Sequence, residues 1–192
     1  KNIISTYKKG TDFSIYMDTD GLIHAGSGLD QVTWMDVRVG DWVATPRHGK
    51  PVEINALWYN ALCTMDMLQA KFGDNDDSYR QLASLVKTSF NKRFWNENTG
   101  CLYDVVDEDD DTIRPNQIYA VSLPFTMPDM EREKAIVDTV MDKLYVGCGL
   151  RSLDPDHKDY HPIYIGSLSK RDHAYHQGTA WGFLLGGFIS AY

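Results

Sequence analysis

The sequence predicts an all-α domain built from helical hairpins, with small β-hairpins set into the loops. Three observations lead there. Stretches with apolar residues at helical spacing alternate with connections that are polar and aromatic at one end and plain at the other. No strand–helix–strand repeat and no glycine-rich phosphate loop breaks that rhythm. The 192 residues are 43% hydrophobic and 12% aromatic, enough for a packed core and unlike a disordered chain.

Taken in order, residues 1–9 read as the last turns of a helix, with Ile3, Ile4 and Tyr7 on one side and Lys8, Lys9 and Gly10 as its basic end. Apolar runs at 13–16 and 22–25 flank Asp18-Thr19-Asp20-Gly21, a hairpin signal. Residues 33–60 crowd Trp, acid, Arg and Asn into a segment punctuated by Gly40, Pro46, Gly49 and Pro51. Its first part reads as a loop that presents chemistry. Pro51 then suits a first helical position, and the helix it opens runs to about residue 72, stopped by Gly73.

A second helix is expected from about 78 to 92, capped by Asp76, Asp77 or Ser78, with Tyr79, Leu82, Val86 and Phe90 facing inward. A turn at 96–100 leads into a strand-like stretch, 101–106. Arg114-Pro115-Asn116-Gln117 opens a short helix ending near Pro124, and 130–144 forms another amphipathic one. Residues 147–170 read as a long ordered loop, and Lys170-Arg171-Asp172 as a solvated turn. Finally, 177–192 reads as a helix apolar all round, hence buried, whose Gly178, Gly182, Gly186 and Gly187 admit a close neighbour.

A net charge of -8 argues against nucleic acid and membrane surfaces as partners and in favour of a neutral substrate. Cys63, Cys101 and Cys148 are odd in number and widely spaced, which predicts reduced thiols and a cytoplasmic setting. No run approaches the ~20 apolar residues of a membrane span. His157 and His161 are four apart, but Pro155 and Pro162 break any helix there, and the acidic run 107–111 lacks the alternating ligands of a calcium loop. No metal and no cofactor is expected, and no GxSxG elbow supports acyl transfer.

The strings TWMD, TPR, PVEINALWYNAL, FWNE, GCLYDVVD, RPNQIYAVSLP, GLRSL and AYHQGTAW follow one another along nearly the whole chain. In that order they resemble the C-terminal glucosidase domain of the bacterial and archaeal type of glycogen debranching enzyme. The resemblance implies a barrel of paired helices, the (α/α)6 toroid, of which residues 1–192 are about half: one incomplete domain. Earlier helices are then expected before Lys1 and a closing hairpin after Tyr192. Uncovered helix faces would favour self-association.

For the chemistry, the resemblance implies removal of α-1,6-glucosyl stubs from glycogen or a branched α-glucan by hydrolysis with inversion. Asp36 of TWMD would be the general acid, beside an indole, Trp34, able to stack on sugar and desolvate the carboxyl. Inversion requires a second carboxylate ~6.5–9.5 Å away. The family carries it as a Glu in an EIFDG-like string; none occurs here, so the fragment is expected to lack its base. Trp34, Trp42, Arg47, Asn55, Trp58, Arg151, Gln177 and Trp181 would shape the glucose pocket. Glu53 would orient Arg47 or a sugar hydroxyl, while Asn116 and Gln117 sit at one helix start and His176 at another. Gly182 stands where the family has Pro. Structural readings stand beside these: Asp36 as a helix cap or a partner of Arg38 or Arg47, and Arg151 paired with Asp154 or Asp156. Two other functions fit as well, a glucoamylase- or trehalase-like glucosidase and a non-catalytic glycan-binding helical domain.

Overall fold

The computed structural model describes residues 1–73 and 76–192. Its α-helices are α1 (Asn2–Lys9), α2 (Val52–Phe72), α3 (Ser78–Arg93), α4 (Tyr119–Ser122), α5 (Met130–Lys143), α6 (Leu168–Tyr175) and α7 (Leu185–Ala191). Five antiparallel two-residue strand pairs stitch the connections between them.

The fold is laid out around α2. Pro51 lies just outside the helix, in extended geometry as its N-cap, and Gly73 ends it in the left-handed conformation at φ 80°. With no side-chain cap, the first helical N–H, that of Val52, donates to the Asp104 carbonyl at 3.0 Å. α3 packs along α2. Val52, Ala56, Trp58 and Leu62 of α2 meet Ala83, Val86 and Phe90 of α3 in the larger of two cores, with Phe90 and Phe94 stacked at 4.4 Å. Tyr79 and Leu82 flank this core as expected. The N-cap of α3 is Asp77, and Asp76 accepts the Ser78 N–H at 2.9 Å.

Tyr16–Met17 pairs with Ile23–His24, and Gly21 closes the turn between them at φ 82°. Buried Lys50 fastens this hairpin, donating to Asp18 at 2.8 Å and Asp20 at 2.9 Å and lying 3.5 Å from Asp107. Arg93, at the end of α3, grips Asp20 and Asp107 from the other side. The acidic run therefore holds an ion-pair cluster together at its first member, while Asp107, Glu108 and Asp109 stay exposed. Lys50–Pro51 pairs with Val105–Val106, and Trp95–Asn96 with Cys101–Leu102.

A smaller core joins α5, through Val137 and Val140, to Leu150, Leu184 and Phe188. Asp129 caps α5 by accepting the Arg132 N–H. α4 continues from a 3-10 turn, Pro115–Ile118, and meets α7 where an added Cβ on Gly187 would lie 3.2 Å from Ser122 Oγ.

The C-terminal third departs from expectation. Lys170, Arg171 and Asp172 lie within helix α6, so they are not a turn. Residues 177–181 are not helical: Ala180–Trp181 pairs with Leu150–Arg151, and the helical path begins only at Gly182. The reason is a close crossing. The His161 N–H donates to the Gln177 carbonyl at 2.6 Å, and Gly178, at φ 146°, leaves room for the loop to pass. The final helix is not buried all round either: Leu184 and Phe188 face inward, whereas Ile189 and Tyr192 are exposed. No helix among the described residues is long and apolar enough to cross a membrane.

A Cβ at Gly178 would stand 2.5 Å from the His161 carbonyl oxygen, whereas one at Gly28, φ 58°, meets nothing within 4 Å. Gly28→Ala should therefore cost only the left-handed penalty of about 1–2 kcal/mol. Gly178→Ala should cost clearly more, read as the difference in urea midpoint between the two variants.

Candidate active site

Residues far apart in sequence form one buried polar network. Arg47 is its centre: its guanidinium donates to both Glu53 oxygens at 2.5 and 2.6 Å and to both Asp104 oxygens at 2.6 and 3.1 Å. All three side chains are almost wholly buried. Burial works against the charge on Arg47, but Asp104 and Glu53 outweigh it, and its pKa lies above the ordinary arginine value.

From Asp104 the network runs to the surface. Asn116 Nδ2 donates to Asp104 Oδ1 at 2.8 Å, and Asn116 Oδ1 accepts the Trp34 indole N–H at 2.7 Å. Arg114 donates to the carbonyls of Ser152 and His176 at 3.0 and 2.8 Å and to Gln177 Oε1 at 2.9 Å. Gln177 in turn donates to the Ala44 carbonyl at 2.8 Å. Burial pushes the Arg114 pKa below its usual value, with Asp104 and Asp110 opposing. Arg47 and Arg114 against Glu53 and Asp104 make two cations and two carboxylates, a neutral set.

Aromatic side chains cover this network. The Trp34 ring meets His176, Trp181 and Phe183 edge-on, at centroid distances of 5.2, 5.8 and 5.1 Å. Phe183, half exposed, joins them from the 3-10 turn Gly182–Leu184. Asp104 and Arg114 carry no signal of this role in the sequence, the first lying inside a strand-like run and the second in a motif that reads as a helix start.

Asp36 is exposed, between buried Met35 and half-buried Val37. Neither Arg38 nor Arg47 pairs with it: Arg38 donates to the carbonyls of Gly40 and Leu29, and Arg47 is taken by Glu53 and Asp104. Nor does it cap a helix. Asp36 is open to solvent, not covered. What fixes Asp36 is its flanks. Trp34 is bonded to Asn116, Met35 Sδ lies 3.6 Å from Asn116 Nδ2 and 3.9 Å from Arg114, and the Val37 carbonyl accepts the Ala44 N–H at 3.0 Å.

The other expected site residues are only partly brought together. Trp34, Arg47, Glu53, Asn116, His176, Gln177 and Trp181 come together, though Arg47, Glu53, Asn116 and His176 are buried beneath the surface. Gln117 is buried next to them, accepting from the Leu102 N–H and donating to the Arg114 carbonyl. Asn55 and Trp58 are elsewhere. Asn55 clamps the backbone of Ile23 by two bonds, and Trp58 donates to the Gly21 carbonyl and lines an apolar cavity of about 270 Å³ with Ile4, Tyr7 and Ile54. Trp42 stands on the hairpin after Asp36, with Arg38–Val39 paired to Trp42–Val43, and stacks on His173 at 4.2 Å. Arg151 is half-buried and makes no ion pair among the described residues; Lys143 takes Asp154 and Asp156 instead. The described residues contain no cluster of His, Cys, Asp or Glu suited to a metal ion.

A helical domain whose loops gather a solvent-facing carboxylate and an indole cluster suits sugar chemistry. A family model described as amylo-alpha-1,6-glucosidase matches residues 1–192, and the chain belongs to that family. It is similar to the glycogen debranching enzyme of Saccharomyces cerevisiae, 29% identical over 233 residues that cover 96% of this chain and 15% of the yeast protein. The chain thus spans about 15% of the length of that curated relative.

Two outcomes follow from the buried groups. Arg47→Met would leave two carboxylates buried without their cation and should cost about 3–5 kcal/mol in urea unfolding. His176 is 1% exposed, and burial, aided by the charges of Arg114 and Arg47, lowers its pKa from 6.5 to about 4. The unfolded chain therefore binds the extra proton between those values, so stability should fall as pH drops from about 6.5 to about 4, by on the order of 3 kcal/mol. His176→Leu should flatten that slope by up to one proton; an identical slope in both proteins would contradict the neutral buried ring.

Proposed function

We propose that this chain is part of an amylo-α-1,6-glucosidase acting on the glucosyl stubs of glycogen or a related branched α-glucan. Hydrolysis would proceed with inversion, as the family resemblance implies. The observation that carries this reading is the presentation of Asp36. It is exposed, without an ion pair or side-chain hydrogen bond among the described residues, and held in a loop anchored on both sides, next to an indole cluster of the kind that packs against sugar rings.

In this reading Asp36 protonates the departing glycosidic oxygen while a second carboxylate activates water on the opposite face of the sugar. No EIFDG-like string occurs in these residues, so the base is assigned to residues outside them, and the segment alone is inactive. Trp34, Trp42, Arg151, Gln177 and Trp181, none of them fully buried, contact glucose. Arg151 suits a sugar-hydroxyl donor because no carboxylate among the described residues claims it. Arg47, Glu53, Asn116 and His176 support from beneath; Asn55 and Trp58 secure the hairpin at 16–24. The helix-rich chain is read as an arc of an (α/α)6 toroid. Exposed Ile3 and Ile189 at its helix faces support burial against further helices or a second copy. Displacement at an anomeric carbon needs no cofactor, and three free thiols suit the cytoplasm.

Asp36→Asn, made in the natural protein that carries these residues, should lower glucose release from a 6-O-α-glucosyl dextrin by roughly 10²–10⁴-fold. Release at the unsubstituted rate would rule out Asp36 as the acid.

A further inference from the structure

We infer that Asp104, a carboxylate with no contact to the surface, is the positioning residue that sets where Asp36 stands. This rests on Asp36 being the acid. The backbone of Asp104 is pinned on both sides: its N–H donates to the Asp110 carbonyl at 2.8 Å, and its carbonyl receives the first N–H of α2 at 3.0 Å. The side chain is equally committed. Arg47 holds both oxygens, Arg114 Nε lies 3.9 Å away, and Asn116 Nδ2 donates at 2.8 Å. A side chain held this way has no conformational freedom left, so it is a rigid reference for whatever it touches.

Asn116 carries that reference outward. An amide cannot turn over without exchanging donor and acceptor, and here its donor is fixed by a carboxylate that only accepts. Its oxygen is therefore aimed at the Trp34 indole N–H, a group that only donates, 2.7 Å away. A charged acceptor thus dictates the orientation of a neutral amide, which dictates the orientation of an indole two residues before the acid. Met35, between them, rests its sulfur on the same amide at 3.6 Å. Asp104 never approaches the reacting atoms; it acts through Asn116, Trp34 and Met35.

The test uses the natural protein carrying these residues, with Asp104→Asn and Asn116→Leu. Both variants should give the same loss; the second breaks the relay while leaving the ion pairs of Arg47 with Glu53 and Asp104 in place, so it reads the relay even where the first fails to fold. Asn116→Leu should lower kcat for 6-O-α-glucosyl dextrin on the order of 10- to 100-fold, the penalty of a misplaced catalytic group, with KM changed by less than about twofold. Amide hydrogen exchange should rise across residues 33–37 and stay unchanged across 52–62. A kcat within about twofold of the unsubstituted protein, or exchange at 33–37 that does not rise, overturns the assignment. Should the unsubstituted protein release no glucose, the functional reading fails on its own, and the exchange at 33–37 alone decides whether Asp104 positions that loop.

Discussion

The double ion pair of Arg47 with Glu53 and Asp104 is the constraint on which the rest of this structure depends. It joins the loop after Asp36, the first turn of α2 and the bend at Asp104 that leads into the strand at 105–106 through one side chain. Burying three charges has a large desolvation cost that apolar packing would avoid, so bulk stability alone does not account for such a cluster. Geometry does. A guanidinium fork that satisfies two carboxylates at once accepts very few arrangements of the three chain segments that supply them. The loop is thereby held to the helix with a definiteness that apolar contacts do not provide.

From that cluster the structure passes from charge to dipole to aromatic ring. Asp104 orients Asn116, Asn116 orients Trp34, and Trp34 packs in T-shaped contact with His176, Trp181 and Phe183. His176 stays neutral there because burial and two nearby arginines disfavour its charged form, so the aromatic layer adds no charge to a set that is already balanced. The exposed Asp36 is then held by its flanks, with no side-chain bond of its own among the described residues.

Much of the helical frame was legible in the sequence. The α2 boundary was marked by Pro51 and Gly73, α3 by its acidic start, and α5 by apolar spacing, and each of these signals is local. The C-terminal third was not legible, because its signal is a contact. Gly178 looks like one more glycine in an apolar helix, yet it is there to let the His161 carbonyl pass, and nothing near residue 178 announces a partner 17 positions earlier. The site divides the same way. Trp34, Asn116 and Gln177 stood out by residue type, whereas Asp104 was hidden in a strand-like run and depends on an arginine 57 residues away. Long-range pairing of buried polar groups follows no period, so motif and spacing do not show it. Asn55 and Trp58 are set apart from the network for the opposite reason: they lie close in sequence to Asp36, but the helix turns them toward the hairpin at 16–24.

The central claim is that Asp36 faces the glycosidic oxygen from an anchored loop. It is tested most directly by a crystal structure of the natural protein bound to a glucose-mimicking inhibitor with nitrogen at the glycosidic position. An Asp36 oxygen within about 2.6–3.2 Å of that nitrogen, with Trp34 against the sugar, is the expected result. A ligand seated elsewhere, with Asp36 facing open solvent, would contradict the account.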